Sequence, residues 1–122
     1  MAIMQKLGEV IDKDEVMERV DGDIELLMEM IELFITDYPK LMSKIKNAII
    51  QKDSRELERN AHTIKGSVGN FAADSVYGIA LSLEIMGRND DMTDAEEAYA
   101  KLEREMERLI QAFDILRKEV DL

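Results

Sequence analysis

The chain has 122 residues, with 27 acidic against 16 basic side chains, one histidine and no cysteine, for a net charge of −11. That length suffices for one domain with a sizeable core. A composition led by Leu, Ile, Met, Glu, Lys and Ala, with a single proline, favours helix. The acidity argues against nucleic-acid or membrane binding as a main role, the lack of cysteine removes disulfide and thiolate–metal chemistry, and neither a membrane-length apolar run nor a secretory-type start is present, so no membrane insertion and a cytoplasmic location are expected.

Residues 1–11, with Ile3, Met4, Leu7, Val10 and Ile11, read as an N-terminal lead-in segment, and residues 12–120 as one bundle. Asp12-Lys13-Asp14-Glu15 is a helix start, with Asp12 as cap and Glu15 reaching back. The short helix that follows turns Val16, Met17 and Val20 inward, and Asp21-Gly22-Asp23 ends it, with Asp23 placed to cap the next. A long second helix keeps its apolar spacing through Ile24, Leu27, Met28, Ile31, Phe34, Ile35, Leu41 or Met42, Ile45 and Ile49. Pro39 interrupts it, and because the period resumes in phase the expectation is one helix kinked near Thr36–Pro39.

Gln51-Lys52-Asp53 is a turn, and Asp53 with Glu56 begins a third helix over about Ser54 to Gly69. Asn70-Phe71-Ala72-Ala73 reverses the chain into a fourth helix, about Asp74 to Gly87. Val76, Ile79, Ala80, Leu81, Leu83, Ile85 and Met86 make it apolar nearly all round. Gly87 is suited to a helix C-terminus, and Thr93-Asp94-Ala95-Glu96 matches a capping box. The last helix turns Ala95, Ala98, Tyr99, Leu102, Met106, Leu109, Ile110, Phe113 and Leu116 inward, with Glu97 and Lys101 paired on its outer face. Four long amphipathic helices on short loops, plus a short extra N-terminal helix, give an all-α antiparallel four-helix bundle.

The third helix carries the chemistry. Leu57, Ala61, Ile64 and Val68 form a core stripe at i, i+4, i+7 and i+11. His62, Lys65, Gly66 and Gly69 form a second stripe about 120° away, off the core face. Each mid-helix glycine costs about 1 kcal/mol relative to alanine, so bare backbone beside the one imidazole points to close approach by another molecule. Across the hairpin, residues whose numbers sum to about 146 should face each other, which pairs His62 with Glu84. A carboxylate there accepts from Nδ1–H, fixes the tautomer and leaves Nε2 outward as a nucleophile. Lys65 is placed to neutralise an incoming phosphoryl group.

Taken singly, His62, Lys65 and Glu84 have ordinary readings as a surface histidine, a surface lysine and a solvated carboxylate; the joint pattern with Gly66 and Gly69 is what carries weight. Other chemistries lack their residues. One histidine and no cysteine do not make a zinc or iron site, and paired Glu-x-x-His motifs are missing. The acidic cluster of Glu9, Asp12, Asp14, Asp21 and Asp23 lacks the ligand order of a calcium loop. Gly66-Ser67-Val68-Gly69 is not a lysine-bearing phosphate loop. The nine methionines fit core positions.

Ala61-His62-Thr63-Ile64-Lys65-Gly66-Ser67-Val68-Gly69-Asn70-Phe71 resembles the motif of histidine-containing phosphotransfer (HPt) domains, roughly A-H-x-L-K-G-S-x-x-N. The likeness extends to Asp12–Val20, to the long helix with Tyr38-Pro39, and to Leu83-Glu84 followed by Met86-Gly87-Arg88, covering about residues 10–118. The resemblance implies that His62 accepts a phosphoryl group on Nε2 from a receiver-domain aspartate and passes it to another receiver. It implies no kinase activity of the chain's own, and no cofactor, the Mg²⁺ belonging to the partner receiver domain. Lys65 and Gly66 carry over as the residues three and four after the histidine. Glu84 falls where phosphorelay members often have glutamine and chemotaxis-kinase phosphotransfer domains have glutamate. Ala72 stands where glycine is frequent. Partners implied are response-regulator receiver domains and a sensor histidine kinase, with Gly66, Gly69 and Phe71 as the partner-binding rim and a monomer as the resting state.

Two other readings stand beside this one. Glu84 favours the phosphoacceptor domain of a chemotaxis-type kinase, phosphorylated directly by an ATP-binding domain. A third reading is a non-phosphorylated helical docking module.

Overall fold

The structure, a computed structural model, describes residues 11–120. Five helices follow one another: α1 (Lys13–Arg19), α2 (Ile24–Ile50), α3 (Ser54–Gly69), α4 (Asp74–Arg88) and α5 (Ala95–Val120). Helices α2 to α5 each pack on the next, and α5 closes back on α2, so the four make a ring around one core, with α3 and α4 the most intimate pair. The expected four-helix bundle with a short extra N-terminal helix is the observed architecture. The expected lead-in lies outside the described residues except for Ile11, which is buried in the core.

Side-chain caps start three of these helices. Asp12, Asp23 and Asp53 accept from the backbone N–H groups of Glu15, Leu26 and Glu56, satisfying donors that the first turn leaves unpaired. The reciprocal half of the first expected box is absent: Glu15 pairs with Arg19 instead, at 2.7 Å. The capping box at residue 93 does not form either. Thr93 gives both its hydroxyl and its N–H to Asp91, which holds the Asp91 carboxyl below its ordinary value, and α5 begins at Ala95.

Pro39 lies inside one continuous α2. Its missing N–H costs the helix one rung, and a turn earlier Thr36 returns its hydroxyl to the Glu32 carbonyl. The inward residues are largely those the periodicity selects, except that Ile24, at the start of α2, is exposed and Met28, Ile35 and Ile49 are only half-buried. Leu27, Ile31, Phe34, Ile45, Leu57, Ala61, Ile64, Val68, Leu102, Leu109 and Phe113 are all buried. The fourth helix is less enclosed than its composition suggests. Val76, Ala80, Leu83 and Gly87 make its buried face, while Tyr77 and Ile85 are exposed.

One end of the bundle is closed by aromatic side chains. Phe34, Phe71 and Phe113 meet edge to face with centroids 4.7 to 5.6 Å apart, and Tyr38 stacks on Phe34. Helix α1 is fastened at the same end. Lys13 pairs with Glu119, and Arg19 donates to the Gly69 carbonyl at 2.8 Å, supplying a partner to the exposed end of α3. Arg117 of α5 pairs with Glu32 of α2.

Every interhelical turn passes through the left-handed region, and it does so on residues with a Cβ: Asp21, Lys52, Ala72 and Asp90, with φ between +51° and +56°. After three of them the next N–H reaches back five residues to a helix-end carbonyl, from Gly22 to Met17, Asp53 to Ala48 and Asp91 to Met86. Gly87 is therefore not the terminal glycine it was expected to be; Asp90 takes that conformation. Gly87 lies within α4, where a Cβ would come within 2.6 Å of the Glu58 nitrogen and the Ser54 oxygen of α3. It lets two backbones touch.

These two positions should respond in opposite senses to exchange of glycine and alanine. Ala72→Gly relieves a left-handed alanine and should stabilise the fold by about 1 kcal/mol. Gly87→Ala should destabilise it by about 3 kcal/mol, because backbone must move to admit the methyl. Urea unfolding of the two variants checks both, and stabilisation by Gly87→Ala would contradict the close approach.

Candidate functional site

The four apolar residues of the α3 core stripe are fully buried, and this rotation of the helix turns His62 outward with 66% of its side chain exposed. Its Nδ1 lies 2.8 Å from Oε2 of Glu84 on α4, the partner that the hairpin register predicts. Glu84 is only 3% exposed. Lys65 is placed 2.7 Å from the other oxygen, Oε1, and its side chain is largely covered, 16% exposed. Arg88, one turn along α4, donates to Oε2 at 3.0 Å, and its Nε donates to Glu58 of α3 at 3.1 Å.

Burial pushes the Glu84 carboxyl up. The hydrogen bonds and charges of Lys65 and His62 outweigh that and hold it below its ordinary value. An ionised carboxylate only accepts, so Nδ1 of His62 carries the proton, and in the neutral ring the Nε2 lone pair faces solvent. The site is thus an oriented, unhindered nitrogen nucleophile on a rigid helix.

The glycines of the second stripe differ from one another. A Cβ on Gly66 would meet nothing within 4 Å, whereas one on Gly69 would lie 3.5 Å from the Tyr77 ring. Gly66 is open surface beside the imidazole; Gly69 is partly covered. Lys65 also differs from expectation, because its charge is already engaged by Glu84 and its ammonium sits 5.9 Å from the Tyr77 ring centroid. Phe71 is not the open rim residue it was expected to be. At 2% exposure it belongs mainly to the aromatic core, and it lines a shallow groove between α2 and α3.

Two neighbours were not singled out by the sequence reading, although their signals were there. Arg88 is four residues after Glu84, the spacing of an intrahelical acid–base pair, and the register that joins 62 to 84 also joins 58 to 88. The same register joins Gly69 to Tyr77. The surface beyond Gly66 was legible only in three dimensions. Leu33, 65% exposed, stands at a shallow groove of about 170 Å³ between α2 and α3 that is also lined by Met30, Asp37, Leu41, Ser67 and Asn70. On the α3 wheel, Gly66 is about 40° and Ser67 about 140° round from His62. The groove, the bare glycine and the imidazole therefore follow one another around the helix. No described helix is long and apolar enough to cross a membrane.

The family model of the Hpt domain matches residues 29–112. The phosphorelay intermediate protein rdeA of Dictyostelium discoideum is 24% identical over 110 residues, which are 90% of this chain and 43% of that protein. The chain thus spans less than half the length of this curated relative. The crystal structure of histidine-containing phosphotransfer protein B (HptB) from Pseudomonas aeruginosa PAO1 superposes with a TM-score of 0.83 over 89% of this chain and 95% of that one. At 20% identity the likeness is one of fold.

The carboxylate can be tested without any partner. Nitrogen-15 spectra of the parent should show the neutral imidazole protonated at Nδ1, and Glu84→Ala should move the ring toward the Nε2–H form; identical spectra would contradict the hydrogen bond. A carboxyl depressed below 4.5 contributes stability that is complete above that pH and is lost as pH falls through the lower folded value. Glu84→Gln should therefore cost about 2 kcal/mol at pH 7, and the difference from the parent should shrink as the solution is acidified below about pH 4.5.

Proposed function

The chain belongs to the Hpt domain family, and on that premise we propose that it is a phosphorelay intermediate that receives a phosphoryl group on Nε2 of His62 from a receiver-domain aspartate and delivers it to a response regulator. The observation that carries this reading is the 2.8 Å contact from Nδ1 to a buried, ionised carboxylate, which leaves the lone pair on the exposed nitrogen. Attack needs little else from this side. The helix fixes the direction of the lone pair, and the open backbone at Gly66 lets a partner bring its acyl phosphate in line. The partner supplies Mg²⁺ and the acidic pocket that holds it, so the chain itself takes no cofactor and has no kinase activity of its own.

Lys65 is tied to Glu84 at rest and lies one turn from His62, where an arriving phosphoryl dianion competes for its ammonium. The receiver's apolar helix face docks over Gly66 into the groove marked by Leu33. That surface must stay open to successive partners, which fits a monomeric, cytoplasmic protein served by a sensor histidine kinase upstream. The carboxylate at position 84 favours a second reading, direct phosphorylation by an ATP-binding kinase domain of the chemotaxis type.

The deciding experiment offers the chain phosphate-loaded receiver domains with Mg²⁺ and, separately, a chemotaxis-type kinase domain with ATP. The expected result is acid-labile, alkali-stable label on the parent from the receivers and none on His62→Gln. Label from the kinase domain alone would establish the second reading. Binding without label on either protein would make the chain a docking module.

The docking surface makes its own prediction. Leu33→Asp and Gly66→Gln should each slow transfer about tenfold or more while changing unfolding free energy by less than about 1 kcal/mol, since both positions are exposed. Full-speed transfer by both variants would place the partner elsewhere.

A further inference from the structure

We propose that Arg88 is a positioning residue that sets how strongly the phosphorylated form of His62 is held, by sharing Oε2 of Glu84 with the imidazole. The inference rests on the phosphotransfer reading above and adds a control on its energetics. Oε2 accepts from Nδ1 of His62 at 2.8 Å and from Nη2 of Arg88 at 3.0 Å, while Oε1 is left to Lys65. One buried oxygen thus serves two donors, only one of which carries out chemistry. Arg88 is itself divided, because its Nε donates to Glu58 at 3.1 Å. The arrangement is held in place by Gly87, whose lack of a Cβ brings the α4 backbone against that of Glu58. Glu58, Arg88, Glu84 and Lys65 form a ladder of alternating charge across the α3–α4 seam, and His62 hangs from its middle.

The sharing bears on the transfer step. The Nε2 lone pair forms a bond to phosphorus as the bond from phosphorus to the partner's aspartate oxygen breaks, its electron pair remaining on that carboxylate. The proton on Nδ1 stays where it is, so the ring becomes a phosphorylated imidazolium and its positive charge is met by Oε2. Return or onward transfer reverses these changes, and again no proton moves at Nδ1. An acceptor shared with a guanidinium carries less free negative charge for the ring than one held by the ring alone. Arg88 therefore keeps the phosphohistidine less stabilised and readier to give up its group. Glu58, by drawing on the same guanidinium, limits that effect.

Because the two residues pull in opposite senses, they give a two-sided test. In the unphosphorylated chain, Arg88→Met should move the Nδ1–H proton resonance downfield, as the His62–Glu84 bond tightens, and Glu58→Gln should move it upfield. In the transfer equilibrium with one receiver domain at fixed Mg²⁺, Arg88→Met should shift the distribution toward phosphorylated chain by about three- to tenfold, and Glu58→Gln should shift it toward phosphorylated receiver. Arg88→Lys, which restores one donor, should fall between Arg88→Met and the parent. Less phosphorylated chain in Arg88→Met would mean that the guanidinium binds the phosphoryl group directly, and would overturn the proposal; so would resonances that do not move. Absence of label on the parent would defeat the phosphotransfer reading instead, while the resonance shifts still decide whether Arg88 and His62 share the oxygen.

Discussion

A carboxylate that is 3% exposed governs the organisation of this molecule around its histidine. Removing a charge from water costs several kcal/mol unless partners replace the lost hydration. Glu84 has three: Lys65 on one oxygen, and His62 and Arg88 on the other. Two of these come from α3 and one from α4, so satisfying the carboxylate requires the two helices to lie close and in one register. Gly87 supplies the closeness, since any side chain there would strike the α3 backbone. The fully apolar stripe of Leu57, Ala61, Ile64 and Val68 supplies the rotation. Chemistry and packing are here linked, because the hydrogen bond that orients the imidazole is also one of the three contacts that make the buried charge tolerable.

On the phosphotransfer reading, this arrangement also reconciles a strongly acidic protein with an anionic cargo. The net charge of −11 would repel a phosphoryl group approaching at random. At the histidine the balance is closer to neutral: Lys65 lies one turn along α3, Arg88 reaches the site from α4, and the carboxylates of Glu84 and Glu58 are both engaged by these cations. Surface acidity away from the site keeps the chain soluble and discourages nonspecific contact with nucleic acid. The local cations are held by Glu84 and so are positioned in advance rather than recruited from flexible surface side chains.

The parts legible from sequence were those that follow from periodicity and register. The helices, most of their core residues and the His62–Glu84 pairing each depend on counting residues along a regular backbone and across a short turn, and the structure places them as counted, with Ile24 at the exposed start of α2 the exception. What escaped depends on tertiary position. Phe71, adjacent to the motif, looked like rim but turns inward because Phe34 and Phe113 offer it edges at that end of the bundle. Gly87 looked like a terminator because it precedes a polar loop, yet the left-handed residue is Asp90, and nothing local reveals that another backbone lies against residue 87. Glu15 and Thr93 each had a partner more favourably placed than the cap their spacing suggested. Ala72 stands where glycine is frequent in the family it resembles, and its φ of +51° gives a physical reason for that glycine: the turn needs a left-handed residue whatever its side chain.

Three glycines along the α3–α4 hairpin show how one residue type answers different physical demands. At Gly87 the demand is internal, because two backbones touch. At Gly69 it is intermediate: a methyl would lie at ordinary contact distance from the Tyr77 ring, and the carbonyl holds Arg19. At Gly66 the structure makes no demand at all. The space above it is empty, it lies in mid-helix, and alanine would be the better helix former by about 1 kcal/mol. A helix that forgoes that stability at an exposed position, next to its one oriented imidazole and beside a groove, has no internal reason to do so. On the phosphotransfer reading proposed above, a nucleophile must meet its phosphoryl donor in line, and the missing side chain at Gly66 is then clearance for the donor's surface.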